Sequence, residues 1–374
     1  MAQNPVDSAQ TVIESADTVP VKKKNFIQKI ISYFDDANKP QKQSNKKFDF
    51  SVIGGPYYAS DTKLGIGLVA AGQYRTSAAD TINPSGQVNI YGDVAITGYF
   101  KLGVRGNQRF GERKGELSYD LSFESRPDHF WGIGYDKAHC DSNNTVYDLR
   151  RINLDMSYMM RVAPNFYMGP SLVVDWAMGK HIKRPELWNY QDSRIFTDGI
   201  GVSIMYDSRD NVFNAYHGIY ARLDQTFSPK FLGNRYAFSA TKFAFSWYHP
   251  LWKGCILATR LNARLTYGNT PWTMMSKLGG SYTMRGYWEG RYNDKCSADV
   301  TVELRQHIWH RNGLVVWGGF GEVFPRANKI FSSRLLPNYG IGYRWEFKKR
   351  VNVRVDYGFG HHQQGLVFSI NEAF

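Results

Sequence analysis

The stretch Val300-Thr301-Val302-Glu303-Leu304-Arg305-Gln306-His307-Ile308 changes character at every residue. Val300, Val302, Leu304 and Ile308 are apolar, while Thr301, Glu303, Arg305 and His307 between them are polar or charged. Successive side chains of a strand point to opposite faces, so this is a strand with one apolar face and one face carrying both signs of charge. The rhythm recurs upstream, where Leu261, Ala263, Leu265 and Tyr267 alternate with Arg260, Asn262, Arg264 and Thr266, and where Ile219, Ala221, Leu223 and Phe227 alternate with Tyr220, Arg222, Asp224 and Thr226. It recurs downstream as well, where Val351, Val353, Val355 and Tyr357 alternate with Arg354 and Asp356. A soluble sandwich also alternates, but two properties favour a membrane barrel. The segments, at about nine to sixteen residues, are long enough to cross lipid at a tilt. The second face carries paired charges, as a wet interior does.

Composition agrees. The 374 residues include 24 Tyr, 23 Phe, 10 Trp and 35 Gly, and the mean hydropathy is −0.44. No run resembles a membrane helix of ~20 apolar residues. Frequent aromatics at low hydropathy fit a barrel in which every second residue meets lipid and aromatic girdles mark the interfaces. The formal net charge of +13 would suit a nucleic-acid binder only with a basic patch on a recognisable module. None is found, and the arginines alternate with apolar residues, so the reading is a charged lumen and no nucleic-acid partner.

Alternating segments number about sixteen, from Lys47–Tyr57 to Gly365–Phe374, an even count as bacterial barrels have. One segment is untidy: between Ala240 and Phe243 the apolar phase shifts, which predicts a bulge or a misplaced boundary. Parity then makes Ala163-Pro164, His249–Lys253, Trp309–Asn312 and Lys348–Arg350 short inner turns. Pro127–Asn144, Gly179–Phe196, Asn269–Cys296 and Phe324–Pro337 become long outer loops. Residues 1–46 read as a polar periplasmic tail with lysine clusters at Lys22–Lys24 and Lys46-Lys47. Within it Phe26, Ile27, Ile30, Ile31 and Phe34 have helical spacing, a short amphipathic helix that would lie on the membrane, enter the barrel mouth or bind a partner. No signal peptide is visible, and an exported barrel is expected to have lost one. Cys140, Cys255 and Cys296 have no metal-type spacing; Cys140 and Cys296 both fall in outer loops, where a disulfide between them is compatible with an oxidising environment.

Three motifs occur in order. Gly279-Gly280-Ser281-Tyr282-Thr283-Met284-Arg285-Gly286-Tyr287 lies in the sixth outer loop. Tyr206-Asp207-Ser208-Arg209-Asp210-Asn211-Val212-Phe213-Asn214, followed by Gly218, lies between the eighth and ninth segments; Asp and Asn there hydrogen-bond turn backbone and Gly permits a tight approach. Leu366, Phe368, Ile370 and Phe374 alternate at the C-terminal side. Over Phe48–Phe374 the chain thereby resembles the outer-membrane surface-antigen barrels, the insertase and translocase superfamily of BamA and TamA. Met284, Arg285, Gly286 and Tyr287 match that family's V/L/M-R-G-F/Y loop motif. Asp207, Arg209, Asp210, Asn211 and Gly218 match its turn motif, and the last segment looks like the signal read by the barrel-assembly machinery.

The resemblance implies that the sixth outer loop folds into the lumen and that Arg285 pairs with an acidic residue on the wall. An unpaired buried guanidinium is costly, and Glu303, on the charged face of the twelfth segment, is the expected partner. The family's further Asp on the thirteenth strand is missing: Trp317-Gly318-Gly319-Phe320-Gly321 has Gly319 in its place, which puts a double clamp in doubt. Residues 1–46 are too few for a POTRA module, so the chain resembles a short member without them.

Enzymatic motifs (GxSxG, HExxH, P-loop, Rossmann glycines) are absent, and His361-His362 reads as polar loop. The expectation is therefore a non-enzymatic, cofactor-free and metal-free Gram-negative outer-membrane β-barrel. Its surroundings would be the lipid bilayer and lipopolysaccharide, and its partners client outer-membrane proteins or envelope lipoproteins. By resemblance it would assist protein assembly or translocation through a weak seam between Phe48–Pro56 and Leu366–Phe374. Gly54, Gly55 and Pro56 lower pairing capacity there, since Pro has no N–H to donate. The alternative is a passive pore or a scaffold subunit of an envelope complex.

Overall fold

The computed structural model describes residues 48–74, 86–110 and 115–374; the amphipathic stretch Phe26–Phe34 lies outside them. Sixteen antiparallel strands close a barrel. In chain order they are β1 (Phe48–Ala59), β2 (Lys63–Tyr74), β3 (Gly86–Ala95), β4 (Phe100–Phe110), β5 (Gly115–Phe130), β6 (Thr145–Ala163), β7 (Phe166–Lys180), β8 (Arg194–Asp207), β9 (Gly218–Ser228), β10 (Phe238–Trp252) and β11 (Cys255–Gly268). The rest of the wall is β14 (Cys296–Trp309), β15 (Asn312–Phe324), β16 (Leu336–Lys348), β17 (Val351–Gly360) and β18 (Gln363–Ile370). The short pair β12 (Ser276–Lys277) and β13 (Asn293–Asp294) sits within the β11–β14 loop as a separate two-stranded sheet.

The alternation sets the wall. Val302 and Leu261 face outward while Glu303 and Arg260 are buried inside, and Leu64, Ile66 and Leu68 are each more than half exposed on the outer surface. In lipid that exposure is favourable, and closure brings the first and last strands together so that the wall is continuous. Trp252 and Trp309, both 60% exposed, lie beside inner turns where an interfacial girdle belongs. The phase change at Ala240–Phe243 is no bulge: β10 pairs with β9 without interruption from Phe238 to Tyr248. Ala240 is buried and shares the inward phase of Lys242, which lines the lumenal cavity; it is a small inward residue that reads as apolar in sequence.

Four inner hairpins share one construction. Asn165, Gly254, His310 and Arg350 all have positive φ, and each stands beside a one-residue register slip: Arg161/Ala163, Pro250/Trp252, His307/Trp309 and Glu346/Lys348. A left-handed residue with a bulge matches hairpin closure to strand twist. The outer side is different, with long connections packed on each other. Trp188, from the β7–β8 loop, stacks on Phe130 with ring centroids 4.1 Å apart, and Tyr147 meets Trp272 of the β11–β14 loop edge-on at 5.7 Å. A second cluster joins Trp131, Leu278, Met284, Tyr287 and Val323.

The last strand ends at Ile370, earlier than the alternation predicts. Residues 371–374 turn into the lumen, where Phe374 lies beside Tyr248. The seam is displaced accordingly. β1 pairs with β2 along all of Phe48–Ala59 but with β18 only at Tyr58↔Phe368 and Ala59↔Val367, with one further tie from the Leu366 amide to Ser60 Oγ at 3.1 Å. Phe48–Pro56 therefore does not oppose Leu366–Phe374. Extending the register would bring Pro56 opposite Ile370, where a residue without an N–H meets the point at which β18 leaves the sheet. The disulfide is corrected too: Cys140 is an exposed free thiol, and Cys296 is buried at the first position of β14 rather than in a loop.

Candidate functional site

The site is built where the β11–β14 loop enters the barrel. Gly279 and Gly280, both at positive φ, turn the chain after β12. The Gly280 amide donates to the Tyr287 carbonyl and the Tyr287 amide to that of Met284, so Ser281–Gly286 forms a closed tip. Gly286 has φ +108°, and a Cβ there would stand 2.6 Å from the Gly358 carbonyl oxygen. A Cβ on Gly358 would in turn strike the Arg285 carbonyl. Two glycines thus let the loop backbone lie directly on β17. Tyr287 anchors the descent, donating to the Pro337 carbonyl at 2.8 Å and accepting from the His361 amide at 2.6 Å.

This places Arg285 in the lumen, 2% exposed. One guanidinium nitrogen, Nη2, donates to Glu303, the partner expected from sequence. The other, Nη1, donates to Asp356 Oδ2 at 2.7 Å. The double clamp exists, but its second carboxylate comes from β17. What β15 supplies is the ring of Trp317, whose centroid lies 3.7 Å from the Arg285 guanidinium carbon. Asp356 was legible, since it alternates with Val355 and Tyr357; the missed inference was that the loop reaches as far as β17.

Both carboxylates are shared. Glu303 Oε2 accepts from Arg305 Nε at 2.8 Å. Asp356 also accepts from Arg344 and Arg354. Arg344 Nε continues to Glu372 Oε2 at 2.8 Å, and Asn352 holds the other oxygen of Glu372 at 2.6 Å. Arg305 donates to the Phe374 carbonyl and Arg260 to that of Ala373. Charge-assisted hydrogen bonds of this kind contribute about 1.5–3 kcal/mol each, and buried ions require such partners. The loop motif and residues 371–374 are therefore joined through the same wall carboxylates.

The turn motif forms a second structure, at the inner end. Asp207 takes Arg209 in a two-pronged ion pair of 2.9 and 2.7 Å. Asn211 Oδ1 accepts from the Phe213 and Asn214 amides, and Gly218, at φ +112°, has no room for a Cβ beside the Ser208 carbonyl. Asp210 Oδ1 accepts from the Tyr216 amide at 2.9 Å, and Oδ2 accepts from Arg350 at 2.8 Å. Burial alone would lift the Asp210 carboxyl; the Tyr216 and His217 amides and Arg350 outweigh it and hold the group below the usual carboxylate range. Arg350 closes the β16–β17 turn, so this loop reaches along the inner rim to a distant hairpin.

The remaining predicted residues fall at the seam. Gly54, Gly55 and Pro56 pair with Leu68, Gly67 and Ile66 of β2, and Gly54 leaves no space for a Cβ against Leu68 and the Gly67 carbonyl. Leu366 and Ile370 face outward, whereas Phe374 is inside. Among the described residues no group of three His, Cys, Asp or Glu side chains is placed to hold a metal.

A closed sixteen-stranded barrel with an Arg-Gly-Tyr loop clamped inside its lumen is a narrow description, and the Omp85 superfamily domain matches residues 88–374. The chain belongs to the Omp85 superfamily. Solved members share the fold at low identity. BamA of Haemophilus ducreyi lacking POTRA domains 1–3 superposes with a TM-score of 0.62 at 14% identity, over 86% of this chain and 70% of that one. CdiB of Acinetobacter baumannii gives 0.56 at 13%, over 87% and 60%, and CdiB of Escherichia coli 0.57 at 10%, over 87% and 63%. A bifunctional methyltransferase of Rickettsia prowazekii is 20% identical over 218 residues; the match covers 55% of this chain and only 40% of that protein, so partial a likeness that it assigns no activity here. The protein is thus an outer-membrane Omp85-type barrel.

Proposed function

We propose that this Omp85 barrel assists the assembly or translocation of outer-membrane proteins through the seam between β1 and β18. The observation that carries the reading is the contrast on the two sides of β1: a continuous ladder to β2 and only Tyr58↔Phe368 and Ala59↔Val367 to β18. A strand with a full ladder on one side and a short one on the other is a template for an incoming strand. Arg285, Glu303 and Asp356 serve this reading by holding the loop at a fixed depth behind β17 and β18, and the Asp207–Gly218 turn by bracing the inner rim. The clients are outer-membrane proteins with a strand able to add to β1, or envelope lipoproteins that dock at the periplasmic side.

The test is a disulfide between Ala59→Cys and Val367→Cys, which face each other in register, in a background where Cys140, Cys255 and Cys296 are replaced. Oxidation is expected to arrest client assembly and growth, with recovery on reduction. If the locked barrel supports both at the wild-type level, the gated seam is refuted. The second reading, a passive pore, draws on a polar lumenal cavity of about 390 Å³ along β3–β10; solute-selective conductance in planar bilayers without any client cross-link would favour it.

A further inference from the structure

The segment Asn371-Glu372-Ala373-Phe374 is held as a ligand is held. Glu372 is 6% exposed and gripped by Arg344 and Asn352. The Ala373 and Phe374 carbonyls accept from Arg260 at 3.2 Å and Arg305 at 3.0 Å. The Phe374 ring lies under both guanidinium groups, 4.6 Å from Arg260 and 4.9 Å from Arg305, geometry in which a cation is attracted to a ring face. Acid, main chain and aromatic ring are each recognised by a separate group. The wall that recognises them was there without the segment: Arg260, Arg305 and Arg344 all alternate into the lumen from β11, β14 and β16.

Two further observations show that this wall has binding capacity to spare. Among the described residues Arg260, Arg285, Arg305, Arg344 and Arg354 gather around Glu303, Asp356 and Glu372, with Asp299 near Arg260. Arg260 Nε, Arg305 Nη1, Arg344 Nη2 and Arg354 Nε are buried without a hydrogen-bond partner, and buried unsatisfied donors are expensive. In addition, a cavity of about 280 Å³ adjoins Glu372, lined by Arg305, Arg344 and Asn352 and by Asn214 and Tyr216 of the inner-rim loop. It gives a route to the site from the inner mouth. The segment itself is lightly tied to the sheet, through the Asn371 amide to the Asn352 carbonyl, and β18 before it meets β1 at only two positions.

We propose that this arginine-lined recess of the lumen is a peptide-binding site for segments with an acidic residue two positions before an aromatic one, and that residues 371–374 occupy it as an exchangeable internal ligand. A peptide bound in trans takes the Arg344–Asn352 grip with its acid and the Arg260–Arg305 pair with its ring. This goes beyond the seam reading and is tested without it, because binding in the lumen and pairing at β1 label different strands.

The probe is a fluorescent peptide of the sequence Leu366–Phe374, titrated onto the full chain in detergent micelles. Glu372→Gln weakens the internal ligand and is expected to tighten peptide binding about tenfold, the scale of one charge-assisted hydrogen bond. Adding Arg344→Gln should remove that gain, and replacing the peptide's Phe by Ala should weaken binding by a similar factor. Phe374→Ala, which loosens the same segment through its ring, serves if Glu372→Gln lacks the gel mobility of a folded barrel. With a benzophenone in place of the peptide's Phe, labelling is expected on β10 and β11 around Tyr248 and Arg260. The proposal is overturned if folded loosened variants bind no peptide saturably, if they bind it no better than the wild type, or if the label falls on β1.

Discussion

Along β14–β17 the inward residues Glu303, Arg305, Arg344 and Asp356 are buried in mutual ion pairs. Along β3–β10 the inward Arg105, Asp155 and Lys242 are exposed to a cavity of about 390 Å³. The two walls follow one alternation and carry similar charges, yet one is filled and the other wet. The difference comes from what enters the barrel. The Met284–Tyr287 tip and residues 371–374 both come in on the β14–β17 side, fill the lumen there and bring partners to the wall charges. Strand periodicity decides which face a charge occupies; the inserted segments decide how deeply it is buried, since Arg222 and Asp224 also pair in the wet half but beside an open cavity.

The sharpest way to break this comparison is Glu303→Ala. It leaves Arg285 and Arg305 short of a carboxylate in a dry region and is expected to destabilise the folded barrel by about 3–5 kcal/mol, read as a lowered urea midpoint in micelles. A loss of under ~1 kcal/mol would mean the filled half is as forgiving as the wet one. Gly286→Val addresses the insertion itself. The residue must hold φ +108° against the Gly358 carbonyl, so a cost of about 1–3 kcal/mol is expected, with greater protease access to the β11–β14 loop. At the small end, Lys242→Gln alters a charge in the wet half and should stay within ~0.5 kcal/mol. A larger effect would show that Lys242 is held as firmly as the charges of the filled half.

The sequence carried the wall well, because a two-residue period is a local property. Glu303, Arg305 and Asp356 could all be put on the inner face by inspection. It carried the insertions less well, because they depend on long-range geometry. Gly319 hid the second carboxylate only so long as it was sought on β15; Asp356 waited two strands away, and the Gly286–Gly358 contact that brings Arg285 to it joins segments with no local signal in common. Phe374 was misread for a related reason: its spacing continues the outward phase, and nothing in the period reveals that Asn371 turns at φ +69°. Ala240 failed in the opposite sense, since a small inward residue is indistinguishable from a lipid-facing one by hydropathy.

The short seam between β1 and β18 has a consequence for the membrane itself. Among the described residues, β18 pairs with β1 only at Tyr58 and Ala59, while β2 pairs with it along all of Phe48–Ala59. Peptide groups at hydrocarbon depth must find partners, and a seam of two residue pairs draws few of them from β18. The bilayer beside this seam is therefore expected to hold more water than beside the fully laddered strands, which a polarity-sensitive probe placed there would report.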